Sequence, residues 1–169
     1  MIRRLTTDDI PAYIALRREA LITEPHAFAA SPSDDSALDP EHLKKAMVDP
    51  DRAIFGAFAP ELAGIVGIGR MRGEKSRHKA FLWGLYVGAA YRGRSLGHAL
   101  TDAAIGFARS LPHVTQVNLV TSIRTPRAEQ LYEALGFVVW GVEPAALRIA
   151  GELVDDRHMI LRFGASGTP

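Results

Sequence analysis

The sequence contains no cysteine, and its charges almost cancel, with 20 lysines and arginines against 19 aspartates and glutamates. Without cysteine there can be no disulfide, thiolate nucleophile or cysteine-ligated zinc, and a reducing compartment is the natural setting. A formal net charge of +1 does not suit nucleic-acid binding through bulk charge, so any anion site should be local. The six histidines show no His-x-His or His-Glu-x-x-His spacing, and we expect no metal site.

Long hydrophobic runs are also absent. The longest apolar stretch, residues 53–69, is interrupted by Pro60-Glu61 and does not reach the roughly 20 residues that span a bilayer. The amino-terminal stretch MIRRLTTDDI has basic residues but no apolar core, so we expect no signal peptide. These features together predict a cytoplasmic protein that does not enter membranes.

What the sequence does have is the composition of an ordinary globular domain. Its 169 residues are 47% hydrophobic and 23% charged, close to the average for soluble domains, and a second domain would fit poorly in this length. We predict one domain over residues 1–163. The last six residues, GASGTP at 164–169, carry no periodic pattern and should form a flexible tail.

Hydrophobic periodicity predicts seven strands and four helices in the order βααβββαβαββ. The stretch AFLWGLYV is apolar on both faces, and with the following helix and TQVNLVTS it forms a β-α-β unit whose strands should be parallel. The stretch RAIFGAFAPELAGIVGIGRM predicts an antiparallel hairpin, so the sheet should be mixed. The short stretches VVWGV and DDRHMILRF are predicted to close it, with Trp83 and Trp140 in the core.

The segment LYVGAAYRGRSLGHAL, residues 85–100, changes from apolar to basic where the central strand gives way to a helix. The first N–H groups of a helix have no partner within it, and its dipole is positive there, so this junction is a natural anion pocket. Gly93 and Gly97 allow close approach of a ligand, and Arg92 and Arg94 add positive charge. The expected guest is a phosphate or pyrophosphate, although the same residues also occur in plain surface loops. Neither the Walker nor the Rossmann glycine pattern fits.

The same segment resembles the acetyl-CoA-binding segment of the GCN5-related N-acetyltransferase superfamily, whose pattern is [Gln/Arg]-x-x-Gly-x-[Gly/Ala]. Arg92, Leu96 and Gly97 fit this pattern, whereas Ser95 stands at its first glycine. Ser95 can hold the turn if its φ is negative, and its hydroxyl would then cap the helix or bond a phosphate oxygen.

A second stretch, TPRAEQLYEALGF, is similar to another signature of that family, Asn-x-x-Ala-x-x-Leu-Tyr followed by Leu-Gly-Phe. Thr125 replaces the asparagine and keeps a polar helix cap, while the other signature positions match at Ala128, Leu131, Tyr132 and Leu135-Gly136-Phe137. The order of elements over about residues 3–163 also agrees with the family's fold. The resemblance therefore implies a mixed α/β, mostly antiparallel sheet of about seven strands, with a splayed parallel pair in the middle and about four flanking helices.

The resemblance also implies acetyl-CoA as the co-substrate. In the family, the backbone of the central strand binds the pantetheine arm as an added β-strand would, and the loop before the helix binds the pyrophosphate. The cofactor-binding positions that it implies are Leu85, Tyr86, Val87, Arg92, Gly93, Arg94, Ser95, Leu96, Gly97, Thr125 and Ala128.

The implied reaction moves an acetyl group directly from the thioester to a primary amine of a small molecule or a protein. It needs a neutral amine, a polarised carbonyl and a proton source for the leaving thiolate, but no covalent nucleophile. By resemblance the general acid is Tyr132, which could equally be a core aromatic because it shares an apolar helix face with Leu131. The central strand carries no carboxylate, and we assign no base among the candidates Glu24, His26, Glu74 and His78.

Two other functions stay open at this point. Ser95, Thr125 and the missing base are also compatible with a non-catalytic domain that binds or senses acyl-CoA. A nucleic-acid module using Arg92 and Arg94 is disfavoured by the balanced charge. The exposed edges of the last two strands could pair in a homodimer. Neither the acceptor amine nor the acyl chain length follows from the sequence.

Overall fold

The computed structural model describes residues 1–164, so the predicted tail at 164–169 lies almost wholly outside the described residues. The described chain forms seven strands and four helices in the predicted order. The strands are β1 (Ile2–Arg4), β2 (Arg52–Phe58), β3 (Leu62–Arg70), β4 (Lys79–Val87), β5 (Gln116–Ser122), β6 (Val138–Ile149) and β7 (Glu152–Arg162). The helices are α1 (Ile10–Thr23), α2 (Pro40–Val48), α3 (Leu96–Ser110) and α4 (Pro126–Ala134).

The strands form one mixed sheet in the order β1-β2-β3-β4-β5-β7-β6. Every neighbouring pair is antiparallel except β4 and β5, which are parallel. The parallel register joins only Lys79–Phe81 to Gln116–Asn118, although both strands continue further. Beyond Phe81 the two strands diverge, which confirms the mixed α/β fold with a splayed central pair.

A β-bulge in the middle of β4 changes which face of the sheet the following side chains point to. The register with β3 shifts between Ile65 and Gly67, and Gly84 has a φ of +68°, a conformation that glycine adopts without strain. After the bulge Tyr86 packs with α1 and α2, whereas Leu85 and Val87 pack with α3. The bulge therefore turns the last residues of β4 without ending the strand.

The helices cover the sheet from both sides. Buried residues of α1 and α2 pack with Ile54 and Ile65 on one face, and Leu100 and Ala104 of α3 pack with Val66 and Leu82 on the other. Burial of these two apolar faces is the main stabilising contribution to such a layered domain. None of the helices within residues 1–164 is both long and apolar enough to cross a membrane.

The last two strands differ from the sequence prediction. They extend well beyond VVWGV and DDRHMILRF, because Ala150 and Gly151 both take positive φ in the turn that joins them, as two-residue hairpin turns require. Pro144 lies within β6, where the register shifts between Glu143 and Leu147, and a bulge tolerates a proline that a regular ladder would not.

Two further expectations about these strands were wrong. Trp140, predicted to be in the core, is 61% exposed, because it lies on β6 at the edge of the sheet. Strand β7 lies between β5 and β6 and therefore has no free edge. Only β6 of this pair could offer an edge to a second molecule.

Candidate functional site

The carboxyl ends of β4 and β5 open into a cleft where the two family-like segments of the sequence meet. A Cβ atom added to Gly97 at the start of α3 would lie 3.0 Å from Cδ1 of Leu131 on α4 and 3.9 Å from Cγ2 of Val87 on β4. The absence of a side chain at this glycine lets the two helices and the strand approach closely. The positions predicted from two separate motifs are thus neighbours in the fold.

The loop before α3 makes a tight turn that ends in a left-handed residue. Gly93 has a φ of +78°, and no atom lies within 4 Å of the position that a Cβ would take. Glycine is therefore favoured here because of the backbone conformation and not because a side chain would clash. Ser95 has a φ of +57°, and its side chain makes no capping hydrogen bond. The condition of a negative φ is therefore not met, and of the two alternatives for the Ser95 hydroxyl the helix cap is excluded.

Arg92 and Arg94 differ in their surroundings. Arg92 donates from Nε to the Val87 carbonyl at 3.1 Å and from Nη2 to Glu24 Oε1 at 2.7 Å. The Glu24 carboxylate raises the pKa of Arg92 above its ordinary value. Arg94 lies with Cζ 5.6 Å from the centroid of the Tyr91 ring and forms no ion pair within residues 1–164. Arg94 is therefore the arginine of this loop that is available to an anion.

Side chains of α1 bind the predicted pantetheine segment, Leu85–Val87, through Tyr86. Tyr86 donates its hydroxyl proton to Glu19 Oε1 at 2.8 Å, and the Thr23 hydroxyl lies 3.2 Å away. Burial is the main cause of a raised pKa at Tyr86. The Tyr86 side chain thus fixes the strand to the helix.

Tyr132, expected from the sequence to be either a general acid or a core aromatic, is packed in the core. Its ring is 6% exposed and packs edge-to-face on Phe137 with the ring centroids 5.7 Å apart, so it is a core aromatic. Its hydroxyl makes no hydrogen bond to any residue between 1 and 164. Burial raises its pKa well above the ordinary value of about 10. The phenol therefore stays protonated over the physiological range.

The start of α4 departs from the expected cap. Thr125 uses its hydroxyl to donate to the Ser122 carbonyl at 2.8 Å, with the Thr121 hydroxyl 3.1 Å away, and it gives no side-chain cap to the helix. Thr125 is the N-cap residue, as predicted, but its hydroxyl bonds the end of β5 and not the helix. Ala128, one turn into the helix, packs against the core on the α3 face.

The four candidate bases divide by position. Glu74 and His78 precede β4, and the His78 carbonyl accepts from Thr115 just before β5. They therefore lie at the amino end of the parallel pair, opposite the cleft. Glu24 is engaged by Arg92. His26 lies in the turn Pro25–Ala27 that packs against β5, with Nδ1 buried and unbonded among the described residues.

One carboxylate at this end of the sheet was missed. Asp156 on β7 lies opposite Ser122 of β5 and is 8% exposed. Burial raises its pKa, Glu143 adds to the rise, and His158 opposes it. No signal in the sequence singled it out, because it stands between Asp155 and Arg157 in a polar stretch and its burial follows only from the pairing of β7 with β5.

Trp83 lies apart from the cleft. Its ring covers Gly67, whose would-be Cβ would lie 2.3 Å from the indole, and it lines a shallow groove with Phe81, Gly69 and Met71. Among the residues that the structure describes, no three histidines, aspartates or glutamates come together as a metal site would require.

Comparison with known proteins gives one family. The model of the acetyltransferase (GNAT) family matches residues 15–137. Among the curated proteins, none matches the chain.

Solved structures resemble the whole fold. An acetyltransferase of the GNAT family from Streptococcus pneumoniae is 25% identical, with a TM-score of 0.84 over 96% of this chain and 99% of that one. A GNAT-superfamily phosphinothricin acetyltransferase from Sinorhizobium meliloti, solved with acetyl-CoA, is 19% identical, with a TM-score of 0.85 over 100% of this chain and 92% of that one. The ribosomal-protein-alanine N-acetyltransferase from Brucella melitensis is 20% identical, with a TM-score of 0.83 over 96% and 99%.

Proposed function

The chain belongs to the acetyltransferase (GNAT) family, and on that premise we propose that it is an acetyl-CoA-dependent N-acetyltransferase. It moves the acetyl group directly from the thioester to a primary amine of a small molecule or a protein. The observation that carries this proposal is the divergence of β4 from β5 beyond Phe81. The divergence leaves the backbone of residues 82–87 without a β5 partner, and a pantetheine arm can take that place.

The residues around the cleft fit acetyl-CoA. Leu85, Tyr86 and Val87 offer the strand edge, although the Val87 carbonyl already accepts from Arg92. The left-handed turn through Gly93 and Ser95 exposes backbone N–H groups at the start of α3, which suits a pyrophosphate. Leu96 and Gly97 begin the helix, Arg92 and Arg94 supply charge, and Thr125 and Ala128 form the α4 wall.

Tyr132 is the residue that would stabilise the departing thiolate. Burial keeps the Tyr132 phenol protonated when the thiolate forms, and because a thiol, with an ordinary pKa of about 8.5, is the stronger acid, the phenol acts by donating a hydrogen bond to the sulfur as its negative charge develops. Because no protein group within residues 1–164 competes for its hydroxyl, the proton is free for that hydrogen bond. Tyr132 thus takes the general-acid position through this hydrogen bond.

Asp156 is the residue that would accept the proton of the amine. It lies at the carboxyl end of β5, next to the cleft and on the sheet face that α1 and α2 cover elsewhere. A carboxylate whose pKa is raised by burial is a stronger base at neutral pH than an ordinary one. This assignment supplies the base that the central strand lacks.

Thiol release tests the proposal. Purified protein, acetyl-CoA and a panel of primary amines should give amine-dependent release of the CoA thiol, with the acetylated amine detected by mass. Binding of acetyl-CoA by calorimetry without release on any amine would instead support the second candidate, a domain that senses acyl-CoA. The engagement of Arg92 by Glu24 and the serine at position 95 are the observations that favour this second candidate.

A homodimer through β6 is a further part of the proposal. Strand β6 is at the edge of the sheet and exposes Val138, Trp140 and Val142, a combination that invites pairing. Light scattering should then show a dimer for the wild type and a monomer for Trp140→Glu, and a monomeric wild type would refute the homodimer.

The absence of cysteine supports a reducing compartment such as the cytoplasm. Fractionation of the native host tests this location, which recovery of the protein outside the cytoplasm would refute.

A further inference from the structure

Arg17 of α1 points into the protein and not into solvent. The residue is 6% exposed, and its Nε donates to Asp35 Oδ2 at 2.7 Å. The guanidinium carbon lies 4.5 Å from the centroid of the Phe28 ring. An arginine at a core position of a helix lowers the stability of the fold unless charged or hydrogen-bonding partners compensate for the burial of its charge.

The partners of Arg17 are incomplete. Its Nη1 is buried and has no hydrogen-bond partner among the described residues. Asp35 does not supply one, since its Oδ2 accepts from Nε of Arg17 and its Oδ1 accepts from the Ala37 N–H at 2.9 Å. Unpaired buried donors are rare in native proteins and costly. Nη1 of Arg17 can therefore donate a hydrogen bond to one more acceptor.

That nitrogen is aimed at the bulge of β4. A Cβ atom at Gly84 would lie 3.3 Å from Nη1 of Arg17, so the glycine lets the strand backbone approach the guanidinium closely. Gly84 directly precedes Leu85, where the proposed pantetheine segment begins. Nη1 of Arg17 therefore lies beside the start of the proposed pantetheine segment.

We propose that Nη1 of Arg17 binds a carboxylate of the acceptor, and that the acceptor is a small amino acid whose amine lies two to four bonds from that carboxylate. This inference rests on the proposed function, because it places the amine of the acceptor at the cleft. A guanidinium is the protein group best suited to a carboxylate, in geometry as well as charge. Asp35 and Phe28 hold the guanidinium in place before the acceptor arrives.

The first test uses the wild-type protein and matched acceptors. Glycine, β-alanine and L-methionine are each compared with their carboxamides, and kcat/KM is referred to the concentration of neutral amine. The acids should be preferred by about 10- to 100-fold, as the loss of one charge-assisted hydrogen bond implies. Equal or better use of the carboxamides would overturn the inference.

The second test uses variants. Arg17→Gln should raise KM for the acids and leave the carboxamides and kcat nearly unchanged, whereas Arg18→Gln, at the exposed neighbouring arginine, should change nothing. Gly84→Ala keeps Arg17 but places a methyl group against Nη1, so it should weaken the acids selectively as well. A drop in kcat for acids and carboxamides alike would show a structural role and contradict the inference. If neither variant folds, the comparison of acids with carboxamides in the wild type decides.

A binding measurement separates this inference from the proposed function. Without acetyl-CoA, L-methionine should raise the melting temperature of the wild type and of Arg18→Gln but not of Arg17→Gln. Such binding without turnover of any amine would refute the proposed acetyltransferase activity and support the carboxylate site. Turnover of carboxamides as fast as acids would support the acetyltransferase activity and refute the carboxylate site. Neither binding nor turnover would refute both.

Discussion

Arg92 and Glu24 form an ion pair of 2.7 Å that fastens the loop before α3 to the end of α1. The pair joins the residue expected to meet the pyrophosphate with a carboxylate that competes for it. Both side chains are partly exposed, so the pair is worth no more than about 1 kcal/mol. If the proposed function is right, acetyl-CoA has to displace Glu24 before Arg92 can turn to its phosphates.

Glu24→Gln should therefore tighten the binding of acetyl-CoA. Removal of the competing charge frees Arg92 and ends the repulsion of the phosphates, and we expect the Kd to fall by about two- to fivefold. Calorimetry at low ionic strength measures the change. Glu41→Gln is the matched control, because it breaks an exposed ion pair with Lys44 on α2. An unchanged Kd in Glu24→Gln would show that Arg92 does not move to the anion.

Ser95→Gly should stabilise the protein and leave the cofactor affinity alone. The serine already holds the left-handed turn at a φ of +57°, and relief of that strain should add about 0.5–1 kcal/mol to the free energy of unfolding. Urea denaturation measures this gain, and the acetyl-CoA Kd should stay within about twofold, less than about 0.4 kcal/mol. His113→Gly, at a φ of +66° outside the cleft, should gain similar stability. A large change in Kd with no gain in stability would mean that the Ser95 hydroxyl contacts the ligand.

Tyr132→Phe should lower kcat by about 100-fold without loss of stability. The ring keeps its packing on Phe137, and the lost hydroxyl has no protein partner within residues 1–164. Steady-state kinetics and thermal melts measure the two effects, with Tyr91→Phe in the same cleft as the control. A variant with full kcat would leave Tyr132 as a core aromatic only.

The pH profile adds a second check on Tyr132. Burial raises its pKa, so its protonated, active form persists to higher pH than that of an ordinary tyrosine. We expect no descending limb in the kcat profile of the wild type up to about pH 10, the ordinary pKa of tyrosine. A limb that falls between pH 8 and 9 and is lost in Tyr132→Phe would contradict the raised pKa.

Asp156→Asn should lower kcat/KM at neutral pH by about 100-fold, with a smaller deficit at high pH where the amine is already neutral. The same change should stabilise the fold at pH 7. A carboxyl whose folded pKa is raised loses stability as pH rises from its unfolded pKa through its folded pKa. Asp155→Asn is the control, because its side chain accepts from Ala145 on the hairpin instead. Equal losses in both variants would exclude Asp156 as the base.

The sequence predicted those features that repeat along the chain. The apolar stripe from Leu100 to Ala108 forms the buried face of α3, and the apolar runs of β3 and β4 form strands with buried residues on both faces. Burial of such a face is decided locally, so a periodic pattern is sufficient to predict it. The order of all eleven elements followed from these patterns.

Single residues with unusual surroundings could not be predicted in the same way. Nothing in the letter at position 95 indicates a positive φ, which is imposed by the turn and by the packing of α3 on α4. Arg17 occupied a core position of its helix, but its missing partner appears only when Asp35 and Gly84 are brought beside it. Asp156 likewise depends on pairing with β5, a contact between distant parts of the chain.

A crystal structure of the protein with acetyl-CoA tests the central claim most directly. The pantetheine should run along Leu85–Val87 between β4 and β5, with the pyrophosphate at the turn through Gly93 and Ser95 and the sulfur within hydrogen-bond reach of the Tyr132 hydroxyl. Acetyl-CoA bound elsewhere, or β4 and β5 closed beyond Phe81 with no ligand between them, would contradict it.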